Sequence, residues 1–246
     1  MDFQIVYKPI GKTCGEIIDD LRKVQNYETI AYAGRLDPMA HGDLIIVFNL
    51  KLIDKFNNMN KIYKFKFVIG ISTDSTDQLG MLENNKYSSI LDMELLQKHM
   101  LSFRKSTFQQ QYHKLSSFVP KNKHNGKRKP LWWWSIKYPE VMINIPSKEV
   151  SVFDINIDNI KNISSNDLRD NMLSNIDSIN ESNNLRQAEV SKQWQEYKFE
   201  KETLIEITTT IHVSSGFYIR QFVKDLSDFF KVKMIVTEIN RTKIIL

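Results

Sequence analysis

Three runs of alternating residues constrain the fold of this chain more than any other feature. They cover residues 61–69, 204–213 and 232–239, and apolar residues recur at every second position over most of each run. Such alternation predicts half-buried strands. Helical stretches separate the runs at irregular intervals, which argues against a regular βαβ array. The pattern by itself predicts a fold of the α+β class.

Composition sets broad limits on the class of protein. The 246 residues are 41% hydrophobic and 11% aromatic, which is ample for a packed core. Lys and Arg number 34 against 29 Asp and Glu, and a net charge of +5 fits an anionic partner without requiring one. Cys14 is the single cysteine, the first residues lack a secretory signal, and no apolar stretch would span a bilayer. We expect a soluble, cytoplasmic protein, with a nuclear or mitochondrial location left open.

Two helices are predicted from their capping residues. Thr13 and Glu16 have the spacing of a capping box, and a helix should run from there to about Gln25. Asp92 can cap a second helix, whose apolar positions should pack against the sheet. The first helix is expected to bury one stripe, formed by Ile17, Leu21 and Val24.

A carboxylate in a tight turn is the main candidate for chemistry. Residues 33–42 read Ala-Gly-Arg-Leu-Asp-Pro-Met-Ala-His-Gly, so that Asp37 is flanked by glycines at both ends of the stretch. Taken alone, Leu-Asp-Pro is also a common turn sequence in which Asp merely caps backbone amides. Further motifs must therefore decide between a cap and a nucleophile.

Four further segments accompany this turn in a recognisable order. They are Lys-Pro-x-Gly-x-Thr at 8–13, Lys-x-Tyr at 61–63 with the polar loop 70–80 after it, Gly-x-Tyr-Ile-Arg at 216–220, and Ile-Asn-Arg-Thr at 239–242. Together with the turn they resemble the signature of TruB-type tRNA pseudouridine synthases. A further family motif, Gln-x-Pro-Pro-x-x-Ser-Ala, keeps only its outer residues here, between Gln111 and Ser117.

The resemblance implies a fold and a reaction. The implied fold is that of pseudouridine synthases, a mixed and largely antiparallel central sheet flanked by helices. Residues 1–246 would form one catalytic domain, with no room for the PUA module that many relatives carry. The implied reaction isomerises uridine to pseudouridine at position 55, in the TΨC loop of tRNA. It needs no cofactor, and a monomer is the expected state.

The resemblance also assigns catalytic roles. Asp37 would be the nucleophile, with attack at ribose C1′ or at uracil C6 left open. Arg220, in the first turn of a helix, would meet Asp37 across the cleft and favour its ionised form. Tyr63 would stack on the uracil and take part in removing the C5 proton.

A second group of residues is expected to bind the RNA. Tyr32 stands where relatives carry a His that fills the space left by the flipped base, and Ile239 stands in place of a pocket leucine. Lys8 belongs to a segment that is also expected to support the catalytic turn. The expected set from the motifs is Lys8, Tyr32, Arg35, His41, Tyr218 and Ile239.

Two irregular segments interrupt the motifs. Residues 121–134 combine basic side chains with three tryptophans, and Lys121, Lys127 and Arg128 are candidates for contacts with RNA phosphates. The alternative is a solvated loop that leads into an aromatic edge strand. Residues 156–185 are rich in Asn and Ser and are interpreted as a surface excursion or flexible loop.

Two other functions stay open at this point. Gly-Arg-Leu-Asp at 34–37 also looks like the turn of pseudouridine synthases that act on ribosomal RNA. A noncatalytic RNA-binding or tRNA-folding module is the alternative from another class, suggested by the eroded Gln motif. The five histidines lack the spacing of metal ligands, so no metal is expected.

Overall fold

The computed structural model describes the chain except residues 1, 25–26, 28, 85–86, 88–90, 121–125, 127, 141–143 and 184. The strands within the described residues are β1 (Phe3–Lys8), β2 (Ala31–Ala33), β3 (Ala40–Val47), β4 (Asn60–Ile69), β5 (Ser106–Gln111), β6 (Ser147–Ser164), β7 (Thr203–Val213) and β8 (Met234–Ile245). The helices are α1 (Cys14–Val24), α2 (Ile53–Asn57), α3 (Met93–Ser102), α4 (Leu131–Lys137), α5 (Ser165–Asp177), α6 (Gln187–Glu196) and α7 (Ile219–Phe230).

The eight strands form one mixed sheet in the order β1-β3-β8-β4-β7-β6-β5, and β2 also pairs with β3. β3 and β8 run parallel, with Ala40 opposite Ile239, and the other pairings are antiparallel. The predicted mixed, largely antiparallel sheet with flanking helices is confirmed.

The three alternating runs are neighbours at the centre of this sheet, as β8, β4 and β7. Their inward side chains are fully buried, and α7 packs on them through Phe222, whose ring meets Phe65 edge-on at 6.5 Å. Burial of large apolar side chains on both strand and helix is what holds α7 against the sheet. This packing fixes the position of the first turn of α7, which carries Arg220.

Both predicted caps are present. The Thr13 hydroxyl accepts a hydrogen bond from the Glu16 amide, and the Glu16 carboxylate accepts one from the Thr13 amide, as a capping box requires. Asp92 accepts a hydrogen bond from the Leu95 amide at the start of α3. The predicted stripe of α1 is wrong at Val24, which is 87% exposed.

The stripe differs because α1 rests on the sheet mainly by its first two turns. Cys14, Ile17 and Ile18 are buried there, at the i, i+3 and i+4 spacing of one helix face. Val24 is the last residue of the helix, one further turn away from the sheet.

The expected flexible loop at 156–185 is wrong, because the segment forms a strand and a helix. Residues 156–164 continue β6, which pairs with β7 as far as Ser164 opposite Thr203. α5 follows and buries Leu168, Met172 and Ile176, four residues apart along one face. The polar residues between these positions face outward, so the composition of the segment as a whole does not reveal the apolar stripe.

The tryptophans lie on a helix and not on an edge strand. α4 begins after Pro130, and it buries Leu131 and Trp134 one turn apart. Trp132 lies between them on another face and is 41% exposed. This face points to the functional site described next.

Candidate active site

The turn that carries Asp37 joins β2 to β3. The Ala40 amide donates a hydrogen bond to the Asp37 carbonyl at 3.0 Å, which closes the turn. Gly34, where the chain leaves β2, has a φ of +68°, a conformation that strains other residues. The tight backbone presents the Asp37 side chain to the cleft.

Lys8 supports this turn from beneath. Its ammonium donates hydrogen bonds to the carbonyl oxygens of Pro9 at 3.0 Å, Pro38 at 3.2 Å and Ala40 at 2.5 Å, and the side chain is fully buried. Burial lowers the pKa of Lys8 to about 8. The expected support of the catalytic turn is present, whereas the expected RNA contact of Lys8 is wrong, because its donors are used inside the protein.

The structure brings Arg220 and Asp37 together. Nε and Nη2 of Arg220 each lie 2.8 Å from Oδ2 of Asp37, and Nη1 donates to the carbonyl oxygen of Ser75 at 3.1 Å. Arg220 is 5% exposed. The Asp37 side chain is 26% exposed, and charge-assisted hydrogen bonds to a buried guanidinium hold it in one orientation.

A second carboxylate, Asp77, shares Arg220. Its Oδ2 lies 3.4 Å from Nε of Arg220, and its Oδ1 accepts hydrogen bonds from the Ser75 hydroxyl and the Leu79 amide. Burial raises the pKa of Asp77, and the adjacent guanidinium opposes this shift. Sequence reasoning noted Asp77 within the loop 70–80 but gave it no part in the site, because its burial beside Arg220 is a property of the fold.

Two cavities meet at Asp37 and Arg220. The first, of about 340 Å³, is also lined by Tyr32 and Trp132. The second has a volume of about 270 Å³. Residues of the expected site that line the second cavity are Arg35, Asp37, Tyr63, Tyr218, Arg220 and Ile239.

The walls of the second cavity belong to the centre of the sheet. Tyr63 on β4 is 8% exposed and lies opposite Arg241 on β8, while Ile239 precedes Arg241 by two residues and shares its side of the strand. Strands in a sheet move little, so the backbone fixes the positions of Tyr63 and Ile239 in the cavity wall.

Tyr218 is positioned by a residue that sequence reasoning missed. The Gln110 side chain donates to the Tyr218 carbonyl at 3.1 Å and accepts from the Tyr218 amide at 2.8 Å. Gln110 is buried, whereas Gln111, which the eroded motif had indicated, is exposed. Alternation along β5 is the signal that could have chosen between them. Burial raises the pKa of Tyr218, which keeps its phenol protonated at neutral pH.

His41 does not join this group. It points to the opposite side of β3 from Ala40, where Nδ1 lies 2.8 Å from the Tyr7 hydroxyl and Nε2 lies 3.3 Å from Glu238. His41 and Lys66 hold the pKa of Glu238 at about 2. The expected contact of His41 with RNA stays a prediction.

The basic segment is described in part. Lys121 and Lys127 lie outside the described residues, and Arg128 is exposed. Lys129 places its ammonium 5.7 Å from the centre of the Trp133 ring, a cation–π distance. Trp132 and Ile136 reach the first cavity from α4.

Among the described residues, no cluster of three or more His, Cys, Asp or Glu side chains could hold a metal ion. No helix of the described part is long and apolar enough to cross a bilayer.

The fold is that of pseudouridine synthases. A chain in the crystal structure of a Cbf5–Nop10–Gar1 complex matches 99% of this chain and 48% of its own length, with a TM-score of 0.55 and 13% identity. A chain in the structure of an H/ACA RNP bound to a substrate RNA containing 2′-deoxyuridine matches with a TM-score of 0.53, 13% identity and coverage of 99% and 47%.

Residues 22–172 match the family described as TruB family pseudouridylate synthase (N terminal domain). This match covers more than half of the chain, and the chain belongs to the TruB family.

Relatives named tRNA pseudouridine synthase B are similar along the sequence. The Ureaplasma urealyticum protein is 24% identical over 227 residues, which cover 91% of this chain and 77% of the relative. The Thermotoga petrophila protein is 25% identical over 159 residues, 63% of this chain and 48% of the relative. The chain thus matches about half the length of the Thermotoga relative.

Proposed function

We propose that this chain isomerises uridine to pseudouridine in tRNA, with Asp37 as the nucleophile. The observation that carries the proposal is the ion pair between the buried Arg220 and the partly exposed Asp37, in a cavity that Tyr63 and Ile239 also line. Membership of the TruB family and the names of the relatives support the same reaction.

The reaction requires a small set of groups. The bond between N1 of uracil and C1′ breaks, the base turns, and a bond from C5 to C1′ forms. The proton on C5 is lost and N1 becomes protonated, so there is no net oxidation and no cofactor is needed. Asp37 attacks C1′ or C6 and leaves again at the end of the cycle. Arg220 aims the carboxylate and favours its charged form.

Asp77 balances Arg220 while Asp37 reacts. When Asp37 forms a covalent bond it loses its negative charge, and the guanidinium would be left buried without a partner if Asp37 were its only one. Asp77, 3.4 Å from Nε of Arg220, supplies a second negative partner throughout. Asp77 is therefore a positioning residue for the Asp37–Arg220 pair.

Tyr63 and Ile239 would confine the detached uracil. A free base must turn without leaving the site, and two rigid apolar surfaces allow rotation in a plane. The phenol of Tyr63 lines the same cavity and is the candidate to assist loss of the C5 proton.

The first cavity would take the part of the RNA next to the target. A uridine in a folded loop must be flipped out, at a cost of a few kcal/mol. Tyr32 is partly exposed at this cavity, and its ring could stack in the vacated space. Trp132 offers a second stacking surface from α4. The proposal extends to the TΨC arm with uridine 55 as the target, and Lys121, Lys127 and Arg128 stay predicted contacts to its phosphates.

A monomeric state, a cytoplasmic location and independence from cofactors stay predictions. Neither the fold nor the site geometry bears on them.

The test is site-resolved pseudouridine mapping on an unmodified tRNA transcript, without added cofactor or metal. Wild type should form pseudouridine at position 55, and Asp37→Asn should form none, because an amide is not a nucleophile. Asp19→Asn is the matched control, since Asp19 lies on the exposed side of α1 and should leave the reaction unchanged.

Two outcomes would contradict the proposal. Product at other positions, or in ribosomal RNA only, would assign a different RNA substrate. Binding of tRNA without any product would favour the noncatalytic RNA-binding module.

A further inference from the structure

Three cations line the second cavity. Lys61 comes from β4, Lys148 from β6 and Arg241 from β8, and Asp37 lines the same cavity. Lys61 is 5% exposed and Arg241 is 1% exposed. The ion pairs found among the described residues include none of these three side chains. We call this group the cation cluster.

The cation cluster has unused hydrogen-bond donors. Arg241 donates from Nε to the Asp43 carbonyl at 2.6 Å and from Nη1 to the Gly34 carbonyl at 2.7 Å, but its buried Nη2 has no partner. Lys61 uses one donor, on the carbonyl oxygen of Asn57 at 2.9 Å. Native proteins rarely leave such groups unsatisfied, and each exception calls for an explanation.

The three charges also oppose each other. Burial lowers the pKa of Lys61 to about 8, and the charges of Arg241 and Lys148 add to this effect. Buried charges are normally paired, because the loss of hydration is otherwise uncompensated. A bound anion would supply both the missing charge and the missing acceptors.

Two glycines, which have no side chain, lie next to these cations. A Cβ on Gly34 would lie 3.4 Å from Nη1 of Arg241 and 3.9 Å from Nζ of Lys61. Gly216 has a φ of +84°, and a Cβ there would lie on the Lys148 ammonium, 2.4 Å from its Nζ. Both glycines line the cavity, so space is kept open where the cations gather.

We propose that the cation cluster binds a phosphodiester group of the RNA, adjacent to the nucleotide whose base reaches Asp37, an assignment that rests on the proposed function. The cluster and Asp37 line one cavity of about 270 Å³, so an anion at the cluster lies within about one nucleotide of the reacting carbon. Held by Lys61, Lys148 and the field of Arg241, this phosphate anchors the ribose while the base turns. Asp37 does not compete for the cations, because Arg220 already pairs with it.

The test removes one phosphate charge from the RNA and, separately and together with it, the charge of Lys61 from the protein. Transcripts are prepared with one uncharged methylphosphonate, on the 5′ or on the 3′ side of the target uridine. Wild type and Lys61→Met are compared on these RNAs and on the unmodified RNA, with kcat/KM as the readout. Lys64→Met is the matched control, because Lys64 is an exposed lysine on the other face of the same strand.

The two changes should not be additive. At one of the two positions, the neutral linkage should lower kcat/KM of wild type about tenfold to a hundredfold, the usual scale for a charge-assisted hydrogen bond. Lys61→Met should lose a similar factor on unmodified RNA and little more on that neutral RNA. Lys64→Met should match wild type on every RNA. Lys148→Met, a change at a half-buried residue, should repeat the pattern of Lys61→Met with a smaller loss.

Three outcomes distinguish failure of the inference from failure of the function. Losses that simply multiply would overturn the inference, since they would place Lys61 and the phosphate in separate interactions. Full activity of wild type on both neutral RNAs would overturn it too, while the proposed reaction would stand. No pseudouridine from wild type on any RNA would overturn the proposed function, and the inference with it.

Discussion

Arg220 and Arg241 are both buried, and both line the second cavity, but their partners differ. Arg220 lies between two carboxylates and also donates to a carbonyl oxygen. Arg241 donates to two carbonyl oxygens, has no ion pair among the described residues, and keeps one donor without a partner. Arg220 is therefore paired before substrate arrives, whereas Arg241 and its neighbouring lysines are completed by an anion. Preorganised chemistry and substrate anchoring are thus separated along one cavity.

The same contrast holds for two buried lysines. The pKa of both Lys8 and Lys61 is lowered to about 8 by burial. Lys8 donates to three carbonyl oxygens, and Lys61 donates to one. The pKa shift alone does not distinguish a structural lysine from one that awaits a ligand, but the count of partners does.

The largest effect on the free energy of unfolding is expected from the loss of Arg220, whose charge is already paired. Arg220→Met should destabilise the protein by about 3–5 kcal/mol, because it leaves two carboxylates facing each other without a counter-charge. Activity should be lost as well. Urea unfolding measures the change, with Arg22→Met on the exposed face of α1 as the control. A loss below about 1 kcal/mol would show that Asp37 and Asp77 do not depend on Arg220.

A change of opposite sign in the free energy of unfolding is expected from the loss of Lys61, in the cation cluster. The pKa of Lys61 falls from 10.5 to about 8 on folding, so the unfolded chain binds more protons between these values and stability rises with pH there. Lys61→Met removes this penalty. Below pH 8, it should stabilise the RNA-free protein by up to about 3 kcal/mol.

The gain should shrink between pH 8 and pH 10.5 and disappear above pH 10.5, where Lys61 is neutral in both states. Unfolding curves of wild type and Lys61→Met at pH 7 and pH 10 measure it. An equal difference at the two pH values would contradict an uncompensated charge on Lys61.

The smallest effect sharpens the contrast between the two lysines. Lys8→Met should destabilise the protein by about 1–3 kcal/mol, because the carbonyl oxygens of Pro38 and Ala40 lose their donor inside the protein. The same unfolding experiment at pH 7 provides the value. If both Lys8→Met and Lys61→Met stabilised the protein, the number of hydrogen-bond partners would not distinguish the two lysines.

The central strands could be predicted from the sequence because their periodicity is strong. Aromatic residues alternate with lysines from Tyr63 to Phe67, and this stretch lies within β4. The stretch 156–185 could not be predicted, because the pairing of β6 with β7 depends on a strand some 40 residues further along. Val24 illustrates a third case. The helical period of α1 was predicted correctly, but the period does not show at which residue the helix extends past the sheet.

The site was predicted only where motifs resemble a family. That resemblance placed Arg220 opposite Asp37, across 183 residues of sequence, and no local pattern could have done so. Asp77 and Gln110 were missed as site residues, since their significance comes from burial and from partners distant in sequence. The unpartnered Nη2 of Arg241 is likewise visible only in three dimensions.

The parallel pairing of β3 with β8 has a consequence for how the candidate site forms during folding. It sets Ala40 beside Ile239 and Gly42 beside Arg241, so one wall of the cavity joins segments almost 200 residues apart. Contacts of such sequence separation form late, because a long loop must close first. During synthesis, the Asp37 turn leaves the ribosome long before Arg220, Ile239 and Arg241 exist. The candidate site is therefore complete only after α7 and β8 have been synthesised and β8 has paired with β3.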